Sequence, residues 1–288
     1  MSGLILNGRY DLHTHTQASD GMNAPADNVR LAKQKGLAGI AITDHDTVSG
    51  IREAMEAGKL IGLDVIPGVE ISTRAAGKDI HILGYYLRYE DETLCSRLEH
   101  LRTVRETRNE RILAKLNELG IPITMDEVIS GLGRELGPDD SIGRPHIADV
   151  LVRRGVVADL REAFDKYLAE GAAAYISLPR VGPMEAITWI KEAGGAAVIA
   201  HPGLYEDDDL VRRIIREGQP AGIEVYHSDH GPEEEMRYSG MAREYGLLMT
   251  GGSDYHGVRQ GQVFHGDLGS RTVSADVLEQ LRSRSGRQ

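Results

Sequence analysis

The stretch Asp11-Leu12-His13-Thr14-His15, followed by Ser19-Asp20-Gly21, holds the first side chains able to do chemistry. Alternate side chains of a strand share a face, so His13 and His15 point the same way. Two neutral imidazoles at that spacing begin a site for zinc, manganese or iron, and Asp20 can reach it from the following loop. Further along, apolar runs end in or enclose groups of the same kind. His45 follows Gly39-Ile40-Ala41-Ile42, His81 sits in Ile80-His81-Ile82-Leu83-Gly84, and His201 ends Ala196-Ala197-Val198-Ile199-Ala200. Asp254 and His256 follow Leu247-Leu248-Met249-Thr250-Gly251-Gly252. Glu70 lies inside Val65-Ile66-Pro67-Gly68-Val69-Glu70-Ile71-Ser72, where an ionised carboxylate needs a cation or an arginine beside it.

Side chains so far apart in the chain need a scaffold to gather them. Strand patterns over 9–15, 38–43, 64–72, 79–87, 195–200, 222–227 and 247–256 alternate with helix patterns over 25–35, 49–58, 183–193, 207–217 and 232–245. Parallel strands alternating with helices put every strand C-terminus on one face, the face that holds the chemistry in barrels of this kind. From about Glu90 the period is helical, with Leu94, Leu98, Leu101, Val104, Ile112, Leu113, Leu116 and Leu119 recurring among Arg and Glu. The expected division is an α/β barrel over 1–90 and 175–288, interrupted by an all-helical insertion over 91–174. The Arg/Glu-rich helix over 97–118 is expected to show a solvated face, and the last dozen residues to fray.

The 288 residues carry 33 Lys and Arg against 44 Asp and Glu, a formal charge of −11, which argues against a broad basic surface for duplex DNA. Positive charge for an anionic ligand would have to be local, from metal ions or a few arginines. The single cysteine, Cys95, excludes an internal disulfide framework and a Cys-rich zinc knuckle, leaving histidine and carboxylate as ligands. With no basic-then-apolar leader and no apolar run near 18 residues, the expected location is cytoplasmic, without membrane contact.

In their order along the chain, Asp11-Leu12-His13-Thr14-His15, Thr43-Asp44-His45, Pro67-Gly68-Val69-Glu70, His81-Ile82-Leu83-Gly84, Ala200-His201-Pro202-Gly203 and Gly252-Ser253-Asp254-Tyr255-His256 resemble the motifs of the polymerase and histidinol phosphatase (PHP) family of metal-dependent phosphoesterases. Gly143-Arg144-Pro145-His146 resembles the stand-alone bacterial members, some of which are nucleoside 3′,5′-bisphosphate phosphatases and some of which shorten RNA from its 5′ end. The resemblance implies a distorted (β/α)7 barrel holding two to three divalent transition-metal ions, manganese, zinc or iron. It places His13, His15, Glu70 and Asp254 around the first ion, Glu70, His81 and His201 around the second, and Asp20, His45 and His256 around the third, with Glu70 bridging. Three such ions against three carboxylates leave a local charge of about +3, attractive to phosphate.

The activity implied is hydrolysis of a small phosphate monoester, first of all a nucleoside 3′,5′-bisphosphate, by in-line attack of a metal-bridging hydroxide. Asp44 is expected to orient a ligand histidine and Arg144 to clamp phosphate with its guanidinium fork. His230, beside His227, is expected to contact substrate near the leaving group, while His146 can be structural. Three other readings stay open: a 5′–3′ exoribonuclease on short RNA, a histidinol phosphatase, and a catalytically silent metal-binding accessory domain.

Overall fold

The computed structural model describes residues 8–286. Short apolar runs buried on both faces form the strands, as expected of a sheet covered by helices. One eight-stranded sheet contains β1 (Arg9–Asp11), β2 (Gly39–Ile42), β3 (Asp64–Ala75), β4 (Lys78–Tyr85), β5 (Ala196–Ile199), β6 (Gly222–His227) and β7 (Leu248–Gly252) in sequence order. A short hairpin of β8 (Val258–Arg259) and β9 (Gln262–Val263) follows, and β10 (Val273–Ser274) pairs antiparallel with β1 at the sheet edge.

The sheet curls until β1 and β7 meet beyond their ends, making a nearly closed barrel. The Leu12 N–H donates to the Gly251 carbonyl at 3.2 Å and the His15 N–H to the Tyr255 carbonyl at 2.8 Å. Glycine is required at this seam, because a Cβ on Gly252 would collide with the backbone nitrogen of His13. Asp11 locks the same seam, accepting from the Ser253 N–H (2.9 Å), the Ser253 hydroxyl (2.5 Å) and the Gly269 N–H (2.8 Å).

Helices α1 (Pro25–Gln34) and α2 (Ile51–Ile61) pack outside the first strands. Between β4 and β5 come α3 (Glu92–Glu118), α4 (Met125–Ser130), α5 (Arg144–Arg153), α6 (Leu160–Ala163) and α7 (Pro183–Glu192). The stretch from the end of α3 to Ala174 has an apolar cluster of its own, built on Ile112, Leu116, Val128, Ile147, Leu151 and Leu168. The chain ends with α8 (Asp208–Gly218), α9 (Pro232–Tyr245) and α10 (Ala275–Arg284). No helix among the described residues is long and apolar enough to cross a membrane.

Three expectations are corrected. The strands are not all parallel: β4 runs antiparallel to both β3 and β5, because a tight turn at Ala76 and Gly77, both at positive φ (51° and 83°), folds it straight back. That reversal matters for the site. His81 lies near the start of β4, so on a parallel strand it would sit at the wrong end of the barrel; reversed, it pairs with Ser72 at the same end as the other tips. The C-terminus does not fray within the described residues, since Leu278 and Leu281 of α10 are buried in the cluster containing Tyr10 and Leu248; residues 287–288 lie outside them. And α3 is not merely solvated: Arg102, Arg105 and Arg108 form a buried stripe, because its inner face turns toward polar groups at the barrel rim.

Candidate metal centre

All nine expected ligands meet at one end of the barrel. β3 runs on past the end of β2, and a single parallel bridge pairs Glu70 with His45, so the carboxylate reaches the centre of the rim. Glu70 Oε1 is 2.9 Å from His81 Nδ1 and 3.1 Å from His201 Nε2. Its Oε2 is 2.9 Å from His45 Nδ1, 3.3 Å from His15 Nε2 and 3.5 Å from His13 Nε2. Asp254 Oδ1 lies 3.1 Å from His15 Nε2 and 3.3 Å from His13 Nε2, presented by a backbone φ of +54° that aspartate tolerates better than most residues. The third group is looser: Asp20 Oδ1 is 3.3 Å from His256 Nε2, and Asp20 Oδ2 is 3.9 Å from His45 Nε2.

These side chains fit metal ions by a test independent of their spacing. His13 Nε2, His15 Nε2, His45 Nδ1, Asp20 Oδ1, Glu70 Oε2 and Asp254 Oδ1 are all buried without a hydrogen-bond partner. Buried polar atoms are rarely left so, and six orphaned donor atoms in one place call for cations. Imidazole with carboxylate suits manganese, iron and zinc alike.

Sequence reasoning missed the group that orients His13. Glu224, fully buried on β6, lies 3.1 and 3.2 Å from His13 Nδ1 through its two oxygens and accepts the His201 backbone N–H at 2.8 Å. A carboxylate on the far nitrogen fixes the tautomer that would leave Nε2 free to bind a metal. The acid inside the apolar run Gly222-Ile223-Glu224-Val225 carried the same signal as Glu70. His265 was missed too; it reaches Asp229 (2.5 Å) and Asp254 (3.6 Å) from the loop after β9, where no strand pattern marks it.

Two expected roles are corrected. Asp44 touches no imidazole directly: its carboxylate accepts from the Thr16 N–H (2.7 Å), the Thr16 hydroxyl (2.8 Å) and the Ser19 hydroxyl (2.6 Å), and Ser19 Oγ in turn lies 3.5 Å from His15 Nδ1, so Asp44 shapes the loop that carries Asp20 and reaches a ligand histidine only through Ser19. His230 is no substrate contact. It is buried, its Nδ1 donates to the Val225 carbonyl (2.9 Å), and its Nε2 accepts the Gly203 N–H (3.1 Å), leaving no nitrogen for a ligand. Accordingly, His230→Ala should lower the melting temperature, at a cost of about 1–3 kcal/mol for the orphaned backbone groups, with turnover near wild type; calorimetry beside a rate assay checks it. His146 is structural, its Nδ1 accepting from the Gly143 N–H at 3.0 Å.

Electrostatics follow the geometry. Burial opposes charging His15, but the carboxylates of Asp254 and Glu70 outweigh it and hold its pKa up at about 10. Burial likewise opposes ionising Glu70, yet His45, His81 and His13 hold it well below the usual carboxylate range. In the metal-free protein the His15 imidazolium therefore stabilises the fold fully below the ordinary histidine value of 6.5, and that contribution is lost as pH rises through about 10. A metal must expel this proton, so metal affinity should tighten by about tenfold per pH unit for each proton released between pH 6.5 and 10. Calorimetric titrations in buffers of different ionisation enthalpy would count the protons; none released would contradict the arrangement.

Above the cluster lies a cavity of about 980 Å³ whose walls include Arg108, Arg144, Phe164, Arg180 and Phe264. Arg144 reaches this wall as expected, held by Asp79 (3.2 Å) and the Leu168 carbonyl (3.2 Å).

Known proteins share this fold. The PHP domain profile matches residues 11–137. A 5′-3′ exoribonuclease of Haemophilus influenzae is 34% identical over 252 residues, covering 86% of this chain and 90% of its own. A 3′,5′-nucleoside bisphosphate phosphatase of Chromobacterium violaceum is also 34% identical, over 87% of this chain and 88% of its own. The crystal structure of a metal-dependent phosphoesterase from Bifidobacterium adolescentis superposes with a TM-score of 0.87 at 35% identity, over 96% of both chains. With identity, length and barrel all in common, the chain belongs to the PHP family of metal-dependent phosphoesterases and is a phosphoric ester hydrolase.

Proposed function

We propose that the chain hydrolyses a phosphate monoester of a nucleoside 3′,5′-bisphosphate. The observation that carries this reading is one cavity with two unlike halves. Its floor is Glu70 ringed by imidazoles, and its wall pairs Arg144 with Phe164 and Phe264, the only two phenylalanines of the chain. Their ring centroids are 6.3 Å apart, and the Arg144 guanidinium lies 5.9 Å from that of Phe164. Aromatic faces suit a base and a guanidinium fork suits a phosphate.

His13, His15, Glu70 and Asp254, then Glu70, His81 and His201, then Asp20, His45 and His256 would hold two to three divalent ions of manganese, zinc or iron. Such ions acidify a bound water toward pKa 7 and offset phosphate charge. Glu224 keeps His13 in the required tautomer, and Arg144 binds and orients the phosphate. In this reading residues 1–90 and 175–288 form the catalytic barrel, and the helical insertion 91–174 supplies Arg144 and Phe164 to the wall that recognises substrate, while Phe264 comes from the barrel.

A screen of phosphate release from nucleoside 3′,5′-bisphosphates, short 5′-phosphorylated RNA and histidinol phosphate, with and without manganese, tests this. The bisphosphate should be turned over fastest, and a preference for histidinol phosphate would overturn the reading. The equal similarity to an exoribonuclease supports a second reading, a 5′–3′ exoribonuclease on short RNA, which requires mononucleotides to appear from the oligomer. Arg144→Ala should raise KM at least about tenfold, the loss of a charge-assisted pair, with little change in melting temperature. Unchanged kinetics would remove it from the clamp role.

A further inference from the structure

Asp20 is presented by a run of turns between β1 and α1, not by the end of a strand. Such segments are more mobile than the elements they join, so a ligand carried on one needs holding from outside. Three carbonyls of this turn are taken by groups far away in the chain. The Gln17 carbonyl accepts from the Arg134 guanidinium, the Ala18 carbonyl from the Ser141 N–H (2.8 Å), and the Asp20 carbonyl from the Arg259 guanidinium (2.7 Å). Arg134 and Ser141 belong to the insertion, between α4 and α5, whereas Arg259 ends β8, three residues beyond His256.

Arg259 is 4% exposed and divides its fork between two bodies. Its Nη2 donates to the Asp20 carbonyl, and its Nη1 meets Asp149 Oδ2 on α5 at 2.6 Å, a charge-assisted pair. Gln260 strengthens the same link by donating to the other Asp149 oxygen at 3.0 Å. One side chain therefore joins the turn that bears Asp20, the hairpin that follows His256, and the helical insertion. A second stitch lies alongside, where the Met22 N–H donates to the His256 carbonyl at 2.8 Å.

The backbone is what aims this carboxylate. Asp20 Oδ1 is buried without a hydrogen-bond partner and faces His256 Nε2 at 3.3 Å, so no neighbouring donor sets its direction. The insertion also presses on the carboxylate, since a Cβ on Gly143 would stand 2.9 Å from Asp20 Oδ2. The ligands of the other two ions are supported differently: Glu70 and His81 sit within β3 and β4, and Glu224 holds both His13 and His201.

We infer that Arg259 is a positioning residue for the third ion. By joining the Asp20 carbonyl to Asp149 it aims the Asp20 carboxylate at His256 and His45, and it makes that one site depend on the seating of the insertion. The inference rests on the reading of the nine side chains as a metal centre. The sign of its effect is diagnostic. Removing a positive charge beside a cation site would tighten the ion by charge alone; losing the aim of its carboxylate loosens it.

The test dialyses the manganese-loaded full chain against graded, chelator-buffered manganese and counts bound metal by elemental analysis, for wild type, Arg259→Gln, Arg259→Lys and Asp149→Asn. Wild type should hold three ions. Arg259→Gln should release one of them at about 10- to 100-fold higher free manganese, with the other two within about threefold of wild type, as for an outer partner of one ligand. Arg259→Lys, whose single ammonium cannot grip both acceptors, should fall between. Asp149→Asn should loosen the same ion, and adding it to Arg259→Gln should bring no further loss, because the two are ends of one link.

Third-ion binding that is unchanged or tighter in Arg259→Gln would overturn the inference. Equal weakening of all three ions would overturn it too, since the pair would then only support the fold. Should Arg259→Gln fail to fold, Arg259→Lys and Asp149→Asn decide by the same criterion. A wild type that holds two ions leaves Arg259 nothing to position and also overturns the inference, whereas a wild type that holds none brings down the metal-centre reading itself. No turnover enters the measurement, so failure of the proposed phosphatase activity would leave this result standing.

Discussion

Glu70→Gln should lower kcat/KM for phosphate release by at least about 10³-fold, roughly 4 kcal/mol of transition-state stabilisation. Five imidazoles converge on this carboxylate within 3.5 Å, three on one oxygen and two on the other. An amide keeps the shape but replaces one acceptor oxygen by a donor and removes the charge, so it can no longer serve ions on both sides. Metal content should drop by one to two ions per chain in the same preparation, with the fold retained by circular dichroism. A variant that kept both its metals and its rate would show that the gathered histidines serve another purpose. His15→Ala separates an enzyme from a silent metal-binding scaffold in the same way, since turnover should vanish without unfolding.

Glu224→Ala is expected to have the next largest effect, weakening metal binding about 10- to 100-fold, although Glu224 itself touches no ion in this arrangement. Its two oxygens hold His13 Nδ1 at 3.1 and 3.2 Å and take the His201 N–H at 2.8 Å, so one truncation frees two of the expected ligands. The burial of an unpartnered His201 N–H should also cost about 1–3 kcal/mol of stability. Metal competition with a chelator, read alongside thermal melting, separates the two consequences. Metal affinity equal to wild type would mean that Nε2 of His13 is aimed by packing alone.

The difference between Glu70 and Glu224 shows how much was legible beforehand. Both are acids inside apolar strands, and the same rule about buried carboxylates applies to each. Glu70 stands out twice, by that rule and by its place in the Pro67-Gly68-Val69-Glu70 motif, whereas Glu224 in Gly222-Ile223-Glu224-Val225 offers the first signal alone. Asp44 and His230 erred in the opposite direction, being polar residues beside expected strand tips that the fold uses for its own hydrogen bonds. Sequence position shows that such a residue is near the rim, not whether it faces the cavity or the backbone.

Residue types and their places in apolar runs determined by themselves that strands alternate with helices and carry imidazoles and carboxylates at or near their ends, because strand alternation and burial are local properties; the barrel was implied by the family resemblance. The helical period of α3 was equally plain. Only the tertiary structure decided that β4 reverses and so delivers His81 to the rim, that Glu224 stands behind His13, and that Arg108 is buried without a counter-ion. Each of these depends on what lies opposite a side chain in space, and partners such as His13 and Glu224, 211 residues apart in the chain, are brought together by barrel closure and not by any local preference.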